Sequence, residues 1–369
     1  MDFIINTLHT LGAFFIVLSV IVFVHEFGHY IIAKWCGVKI ETFSIGFGKE
    51  IFGFNDRSGT RWKLSLLPLG GYVKMYGDAS AASTADSDEL ENMTDEQKAL
   101  TFHHKSLPKK IAIVAAGPFA NFILTICVFT YLIITTGLPS ADPIIGKIMP
   151  NTPAQESGLQ AGDRILSINN DPVKSFRDIV FKIMTNVGTP VTIVLERKEE
   201  NLHVTLTPRE VEEDDGLGNK VKRPLIGIQS AEINYNDVGP WVALKESVSQ
   251  TYYICENTLI VIGQIVTGQR GTKDLRGPIG IAQISGQAAK KDAQSVLWLI
   301  ALLSANLGLF NLLPIPLLDG GHIAYYAAEA LRGKPLAERV QEYGFKIGFA
   351  FIAMLMVLTV FNDLRRLFS

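Results

Sequence analysis

Long apolar segments alternate with polar stretches along the chain of 369 residues. A transmembrane helix needs roughly 17–25 mainly apolar residues, because each residue adds about 1.5 Å of rise. The pattern therefore predicts four membrane-spanning helices, at Leu11–Ala33, Ile111–Thr136, Val296–Leu313 and Gly344–Phe361. A further apolar run, Leu259–Val266, lies among charged residues, which favours an amphipathic helix on the membrane surface. Whether residues 252–268 enter the bilayer stays open at this point.

The polar stretches have the alternation and the glycine spacing of strands and turns. The part around Val38–Tyr76 predicts short strands, which form either a small cytoplasmic sheet or a β element beside the first helix whose edge holds an extended peptide. The predicted order is a first membrane helix in 1–37, the β element in 38–76, a flexible cytoplasmic loop in 77–108, a second membrane helix in 109–138, an α+β domain in 139–232, a membrane-surface region in 233–294, a third membrane helix in 295–330, and a fourth with the tail in 331–369.

Charge and cysteine content exclude some classes of protein. The formal net charge is −2, which does not indicate a nucleic-acid partner. The three cysteines lie far apart, so neither a disulfide framework nor a cysteine zinc site is expected. No Lys or Arg precedes the first apolar segment and many follow it, which predicts an outer N-terminus and a retained helix, not a cleaved signal peptide.

The first apolar segment contains ionisable side chains, in His25-Glu26-Phe27-Gly28-His29. A charge at the centre of a bilayer costs at least about 2.5 kcal/mol, so this cluster indicates a function. The H-E-x-x-H spacing places His25 and His29 on one face of a helix, one turn apart, as in zinc metalloproteases. Two imidazoles then need a third ligand to hold zinc with one position open for water.

The third apolar segment supplies the candidate third ligand. Pro314 and Pro316 interrupt the segment, and an interrupted membrane helix is tolerated where it lines a cavity. Asp319 follows directly, and we prefer it to His322 because it lies at the broken helix end. Both apolar segments end towards the cytoplasm, so the topology brings Asp319 to the depth of the histidines. One Zn²⁺ per chain is the predicted cofactor.

Glu26 is not needed as a ligand and suits a general base, which takes a proton from water and returns it to the leaving amine. The pattern therefore predicts a zinc protease. Two other classes are a catalytically silent peptide-binding scaffold and a metal transporter. The intact set of Glu26, His25, His29 and Asp319 disfavours the scaffold, and the scarcity of polar residues in the second and fourth segments disfavours the transporter.

Other polar residues in or beside the membrane have two interpretations each. Asn121 in the second segment makes either an interhelical hydrogen bond or a contact with substrate backbone or the zinc-bound water. His103 and His104 look like a ligand pair, but adjacent side chains diverge, so we favour a solvated pair.

Four motifs in this order resemble the site-2 protease family of intramembrane zinc metalloproteases, and more closely its bacterial sigma-E regulator protease branch. They are H-E-F-G-H at 25–29, G-P-F-A-N at 117–121, A-G-D-R-I-L at 161–166 and N-L-L-P-I-P-L-L-D-G at 311–320. The third motif resembles a circularly permuted PDZ domain. The implied fold is a polytopic α-helical membrane protein with four transmembrane helices, a membrane-associated β-hairpin and an inserted PDZ-like α+β domain.

The resemblance implies zinc at His25, His29 and Asp319, with Glu26 catalytic. It implies cleavage within or near transmembrane segments of single-span proteins, such as an anti-sigma factor, or of remnant signal peptides. It also implies a multi-pass protein of the bacterial inner membrane, with the PDZ-like domain outside the cytoplasm and the active site towards it. One PDZ-like domain is found where the best-known pattern has two. The implied substrate-binding residues are Asn121, Asn311, Gly70, Gly71 and Tyr72 near the active site, and Leu225, Gly227 and Ile228 in the loop that captures a peptide or chain terminus.

Overall fold

The computed structural model describes residues 2–78, 92–186, 188–214, 220–231, 234–268, 271–272, 275–334 and 336–367. Residues 79–91 of the loop predicted to be flexible lie outside these ranges. In chain order the elements are α1 (Asp2–Trp35), β1 (Ile40–Asn55), β2 (Arg61–Met75), α2 (Asp95–Lys98), α3 (Leu107–Thr136), β3 (Leu138–Ser140), β4 (Ile145–Ile148), α4 (Pro153–Glu156), β5 (Arg164–Ile168), β6 (Asp171–Pro172), α5 (Phe176–Met184), β7 (Val191–Arg197), β8 (Glu200–Leu206), β9 (Arg209–Asp214), β10 (Lys220–Leu225), β11 (Ile228–Ser230), β12 (Asn234–Asn236), α6 (Pro240–Val266), α7 (Pro278–Lys291), α8 (Ala293–Leu312), α9 (Asp319–Arg332) and α10 (Glu338–Leu367). The chain divides into two compact units, Met1–Val128 with Arg276–Ser369, and Phe129–Leu275.

The four predicted membrane helices are confirmed. Within the described ranges, four helices are long and apolar enough to cross a bilayer, at Ile5–Trp35, Leu107–Thr136, Ala293–Leu312 and Arg339–Arg366. Each begins before its predicted apolar segment, because residues that include polar ones form the first turn. Helix α6 forms over the amphipathic segment and is not one of these four.

The helices of the first unit pack against one another and against the strands through clusters of buried apolar side chains. Val17 and Ile21 of α1 pack against Ile300 of α8. Near the other end of α1, Tyr30 and Ala33 share a buried cluster with residues of β1, β2 and α3. Helix α1 is therefore fixed on several sides around its ionisable residues.

The β element is built from two long strands that bend. Phe43 of β1 has Val73 on one side and Trp62 on the other, so segments of the same two strands lie side by side. The bend in β1 lies at Gly46, whose φ of +88° favours glycine and where a Cβ would lie 2.8 Å from the carbonyl oxygen of Leu67. The sequence predicts short separate strands, and the structure has two long antiparallel strands instead.

Part of the segment predicted as a flexible loop is ordered. Thr94 and Gln97 form a reciprocal capping box that starts the short helix α2. Phe102 is buried among the core residues beside β1 and β2. This end of the segment therefore contains one helix cap and one buried aromatic ring.

The carboxylate of Asp56 accepts several hydrogen bonds at the turn between β1 and β2. Its Oδ1 accepts from the backbone N–H groups of Ser58 and Thr60, at 2.8 and 2.9 Å. Its Oδ2 accepts from the Tyr30 hydroxyl at 3.0 Å and from Trp62 Nε1 at 3.1 Å. Burial alone would raise the pKa of Asp56, but these donors outweigh it and hold the pKa well below its usual range.

We expect Asp56→Asn to destabilise the fold by about 1–3 kcal/mol at neutral pH, because a charged acceptor is lost. Since the folded pKa lies below the unfolded value of about 3.9, the ionised form stabilises the fold above about pH 4, and this contribution disappears as the pH falls towards the folded pKa. On acidification, the melting temperature of the wild type should therefore fall more than that of Asp56→Asn. Thermal unfolding in detergent at neutral and acidic pH measures this, and equal losses would contradict it.

The second unit has its own α+β core. Strands β6, β5, β7 and β8 form a sheet in that order, and β11 pairs with β4. Ser175 and Asp178 form a capping box that starts α5, whose buried Ile179 and Ile183 face the core. Asp163, in the A-G-D-R-I-L motif, is buried and accepts from Arg197 Nε at 2.6 Å. The α+β character predicted for residues 139–232 is present.

Candidate metal centre

His25 and His29 lie on one face of α1, as their spacing predicts. Their Nε2 atoms are 3.2 Å apart. His25 is buried and His29 is nearly so, within a helix whose neighbouring residues are apolar. The two imidazoles therefore present their nitrogens to one point inside the first unit.

Asp319 reaches the same point from a distant part of the sequence. It is the first residue of α9, which begins directly after the segment interrupted by Pro314 and Pro316. Leu317 adopts a φ of +88°, so the chain turns sharply before the helix starts. Asp319 Oδ2 lies 3.2 Å from His25 Nε2 and 3.6 Å from His29 Nε2. Asp319, and not His322, completes the donor set with the two histidines in the described part of the chain.

The donor set fits zinc in size and in chemistry. A tetrahedral zinc ion with ligands at about 2.0–2.1 Å places neighbouring donor atoms about 3.3 Å apart. The three separations of 3.2, 3.2 and 3.6 Å are close to this value. Asp319 Oδ2 is buried, and no hydrogen-bond partner is assigned to it in the described ranges, as expected for an atom that binds a cation. Two imidazoles and one carboxylate leave a fourth position for water.

Helix α3 packs closely behind the histidines because its residues there are small. A Cβ on Gly117 would lie 2.6 Å from Cε1 of His29. Gly28 of α1 faces Ala120, and a Cβ added to Gly28 would lie 2.7 Å from the Ala120 Cβ. The G-P-F-A-N motif thus gives α3 a surface that accommodates the imidazole of His29.

The backbone of α3 also holds the ring of His29. His29 Nδ1 donates to the carbonyl oxygen of Ile113 at 2.9 Å. Pro118 lies inside α3 and has no N–H to donate to the carbonyl of Val114. One helical hydrogen bond is therefore missing next to the contact between His29 and Ile113. Sequence reasoning did not identify Ile113 as a partner, since its contribution is a carbonyl group that every residue type carries.

Asn121 lies behind His25. Its side chain is fully buried, with Nδ2 placed 3.2 Å from His25 Nδ1. Its backbone carbonyl accepts from Thr125 Oγ1 and from Ser304 Oγ of α8, each at 3.0 Å. The sequence left two roles open for Asn121, and the structure brings its amide to the imidazole of His25.

A cavity of about 230 Å³ opens on the donor atoms. Glu26, Gly71, Tyr72 and Asn311 are among the residues that line it. Gly70 is the preceding residue of β2 and lies against the ring of Phe47. Further lining residues that the sequence did not single out include Val73, Met75, Phe102, Val114 and Tyr326.

Glu26 lies against Gly71 of β2. A Cβ on Gly71 would lie 2.9 Å from Glu26 Cγ. The absence of a side chain at Gly71 therefore lets the strand approach the carboxylate. Glu26 faces the cavity beside the donor set without belonging to it.

The remaining histidines do not join the metal group. His322 lines the same cavity but is not among the clustered donors. His103 Nε2 bonds to buried Asp78 Oδ1 at 2.9 Å, while His104 Nδ1 bonds to Thr101 Oγ1 at 2.8 Å. The two adjacent rings have separate partners, as their divergence predicts. His103 is half-buried, which differs from the fully solvated pair that we expected.

The loop expected to capture a chain terminus lies in the second unit. Gly227 has a φ of +83°, and a Cβ there would overlap Thr152. Ile228 begins β11 opposite Ile148 of β4, and Leu225 ends β10. Gly227 therefore sits at a tight turn between two strands, where a side chain has no room.

Comparison with known proteins identifies the family. Residues 13–355 match the family described as Peptidase family M50. A protein of Agrobacterium fabrum named "Putative zinc metalloprotease" is 43% identical over 358 residues, which cover 96% of this chain and 95% of that protein. The metalloprotease MmpA of Caulobacter vibrioides is 36% identical over 373 aligned positions, covering 95% of this chain and 94% of its own. A solved PDZ domain of an SdrC-like protein from Listeria monocytogenes is 25% identical, covers 24% of this chain and 84% of its own, and has a TM-score of 0.20.

These matches agree with the donor set that the structure assembles. The family match spans both the H-E-x-x-H helix and Asp319. The four apolar helices make the chain an integral membrane protein. The chain therefore belongs to peptidase family M50, the site-2 protease family, and is a zinc metalloendopeptidase of the membrane.

Proposed function

We propose that this metalloprotease hydrolyses peptide bonds within or near the transmembrane segments of single-span membrane proteins. One observation carries the proposal: Glu26 and two of the three donors, His25 and His29, belong to an apolar membrane helix, and β2 lines their cavity. Ionisable groups are costly in a bilayer, so their position there is explained by a substrate that also lies there.

The strand offers a way to bind such a substrate. A transmembrane helix satisfies its own backbone groups, so it must unwind locally before a peptide bond is accessible. An extended segment can then pair with the backbone of β2 at Gly71 and Tyr72, with the preceding Gly70 in the same strand. Asn311, at the end of α8, lines the same cavity and can donate its amide to a substrate carbonyl.

The chemistry follows from the residues around the cavity. When bound, zinc acts as a Lewis acid that lowers the pKa of a water ligand to about 7. Glu26 accepts the proton of that water and transfers it to the nitrogen of the leaving amine, so the carboxylate is restored at the end of the cycle. His25, His29 and Asp319 would hold the ion.

The PDZ-like domain suits recognition of the substrate's exposed end. Leu225, Gly227 and Ile228 form the turn and the start of β11, where backbone N–H groups can bind a terminal carboxylate while the strand pairs with the peptide. Substrates of this kind are a membrane-anchored anti-sigma factor already trimmed by another protease, and remnant signal peptides. Both are the classes that the family resemblance implies.

The distribution of basic residues supports an orientation in the bacterial inner membrane. Lys34 lies in the last turn of α1 and Lys39 and Lys49 follow the helix, while no Lys or Arg precedes the apolar segment. The positive-inside rule then places the N-terminus and the PDZ-like domain outside the cytoplasm and the zinc site towards it. Helix α6 carries exposed Trp241, Tyr252 and Leu259, which suits contact with the membrane surface.

A cleavage assay on single-span reporters tests the proposal. Each reporter carries a soluble tag on either side of one transmembrane segment, and mass spectrometry locates the cut. The wild type should cut within or near the segment, and Glu26→Gln should abolish the cut, because a neutral amide cannot accept the water proton. Glu342→Gln makes the same chemical change at an exposed position of α10 and should cleave as the wild type does.

Two results would contradict the proposal. Cleavage that persists in Glu26→Gln would show that the reaction does not need the Glu26 carboxylate. Cuts confined to the soluble tags would leave a membrane-bound protease without an intramembrane substrate.

A further inference from the structure

The two zinc-binding imidazoles need the same tautomer. A histidine that binds zinc through Nε2 must leave that nitrogen unprotonated and carry its proton on Nδ1. His29 meets this condition, because Nδ1 faces the carbonyl oxygen of Ile113, which only accepts. The partner of His25 is a side-chain amide, which can donate or accept according to its orientation.

The orientation of the Asn121 amide decides the tautomer of His25. With Nδ2 towards His25, the amide donates to Nδ1, so the imidazole proton would have to lie on Nε2, the atom that faces Asp319 and His29. In this orientation the buried Oδ1 of Asn121 has no assigned hydrogen-bond partner in the described ranges. An amide's oxygen and nitrogen have nearly the same shape, so the hydrogen-bond requirements of the neighbours determine which one points where.

We infer that Asn121 acts as a positioning residue for zinc: its Oδ1 accepts the Nδ1–H of His25 and so presents the Nε2 lone pair to the metal. The rotated amide gives Oδ1 a donor at the observed separation of 3.2 Å. Helix α3 then fixes both imidazoles, through the Ile113 carbonyl for His29 and the Asn121 amide for His25. Such outer partners raise the basicity of the ligand and hold its ring in place.

The surroundings of Asn121 are built to keep it in this position. Its backbone carbonyl accepts from Thr125 Oγ1 within α3 and from Ser304 Oγ of α8. Thr125 Oγ1 also lies 3.0 Å from the carbonyl oxygen of Ala301. Asn121 is fully buried, so its amide exchanges no hydrogen bonds with bulk water. Its side chain is therefore committed to His25.

Zinc affinity of the purified full-length protein tests the inference without any substrate. Asn121→Leu keeps a similar volume but removes the acceptor, and should weaken zinc binding about 10–100-fold in competition with a chromophoric chelator. Asn121→Asp keeps an acceptor and should bind zinc close to the wild-type affinity. Thr135→Val is the matched control, since it removes a side-chain hydrogen bond to the backbone of α3 at an exposed position away from Asn121.

The aspartate variant separates positioning from packing. If Asn121 served packing alone, the apolar leucine would be tolerated and the buried carboxylate would be harmful, the reverse of the expected order. If Asn121 contacted substrate, Asn121→Leu would raise KM with zinc affinity unchanged. Either result would overturn the inference.

A spectroscopic readout remains if Asn121→Leu does not fold. In zinc-loaded wild type and in Asn121→Asp, nitrogen-15 spectra of labelled histidine should show a protonated Nδ1 of His25 in a hydrogen bond. A His25 Nδ1 proton that exchanges rapidly with water, or lacks the shift of a hydrogen-bonded imidazole, would also overturn it.

Discussion

Asp319→Ala is expected to purify without stoichiometric zinc and without protease activity. The carboxylate is one of the three clustered donors that could hold zinc, with Oδ2 at 3.2 Å from His25 Nε2. Loss of an outer partner alone weakens metal binding about 10–100-fold, so loss of a direct ligand should exceed about 100-fold. Among the described residues, Asp319 is the only carboxylate in the donor set, so the variant leaves the two imidazoles without an acidic partner. Metal content by mass spectrometry, together with chelator competition, measures the effect.

The matched control for this prediction is His322→Ala. His322 lies one helical turn after Asp319 and lines the same cavity, so it is the other side chain of this segment that could bind the ion. Its loss should leave zinc content at one ion per chain. Glu26→Gln should also retain zinc while losing activity, because Glu26 is not in the donor set. Zinc loss in His322→Ala with zinc retained in Asp319→Ala would reverse the assignment.

The features that the sequence predicts well are those carried by local patterns. Helix periodicity alone places His25 and His29 on one face, because four residues make about one turn. Proline chemistry alone predicts the break before Asp319, since proline cannot donate to the helix ladder. The membrane then restricts where the two segments can meet, as both must end at the same depth. For these reasons the donor set could be named before its distances were known.

The contacts of α3 could not be predicted in the same way. Asn121 and His25 are 96 positions apart, and no local pattern states which imidazole an amide in a neighbouring helix will reach. Gly117 signals close packing, but not which side chain fills the space. The paired segments of β1 and β2 depend on the bend at Gly46, whose effect on strand order appears only when the sheet is assembled. Small residues in a membrane helix allow close packing without stating which neighbour takes the space.

Gly117→Ala is expected to disrupt the metal centre although Gly117 binds nothing. The added Cβ would lie 2.6 Å from Cε1 of His29, which is too close for atoms that do not bond. His29 cannot move away freely, since its Nδ1 is bound to the Ile113 carbonyl and its Nε2 faces Asp319. Either the ring or the helix must shift, at a cost of about 1–3 kcal/mol for overpacking. A displaced ring no longer matches the tetrahedral separation, so zinc affinity should fall at least about tenfold.

Gly12→Ala is the matched control, because it adds the same methyl group to a membrane helix at a position with nothing within 4 Å. It should keep full zinc binding and gain slightly in stability, as alanine is the better helix former by about 1 kcal/mol. Zinc content and thermal unfolding of both variants, measured in one detergent, separate the two cases. Wild-type zinc affinity in Gly117→Ala would show that α3 and α1 can separate at little cost. The close packing of Gly117 against His29 would then have no part in holding the ligand. A selective loss in Gly117→Ala would instead show that a residue without a side chain sets the position of the second zinc-binding histidine.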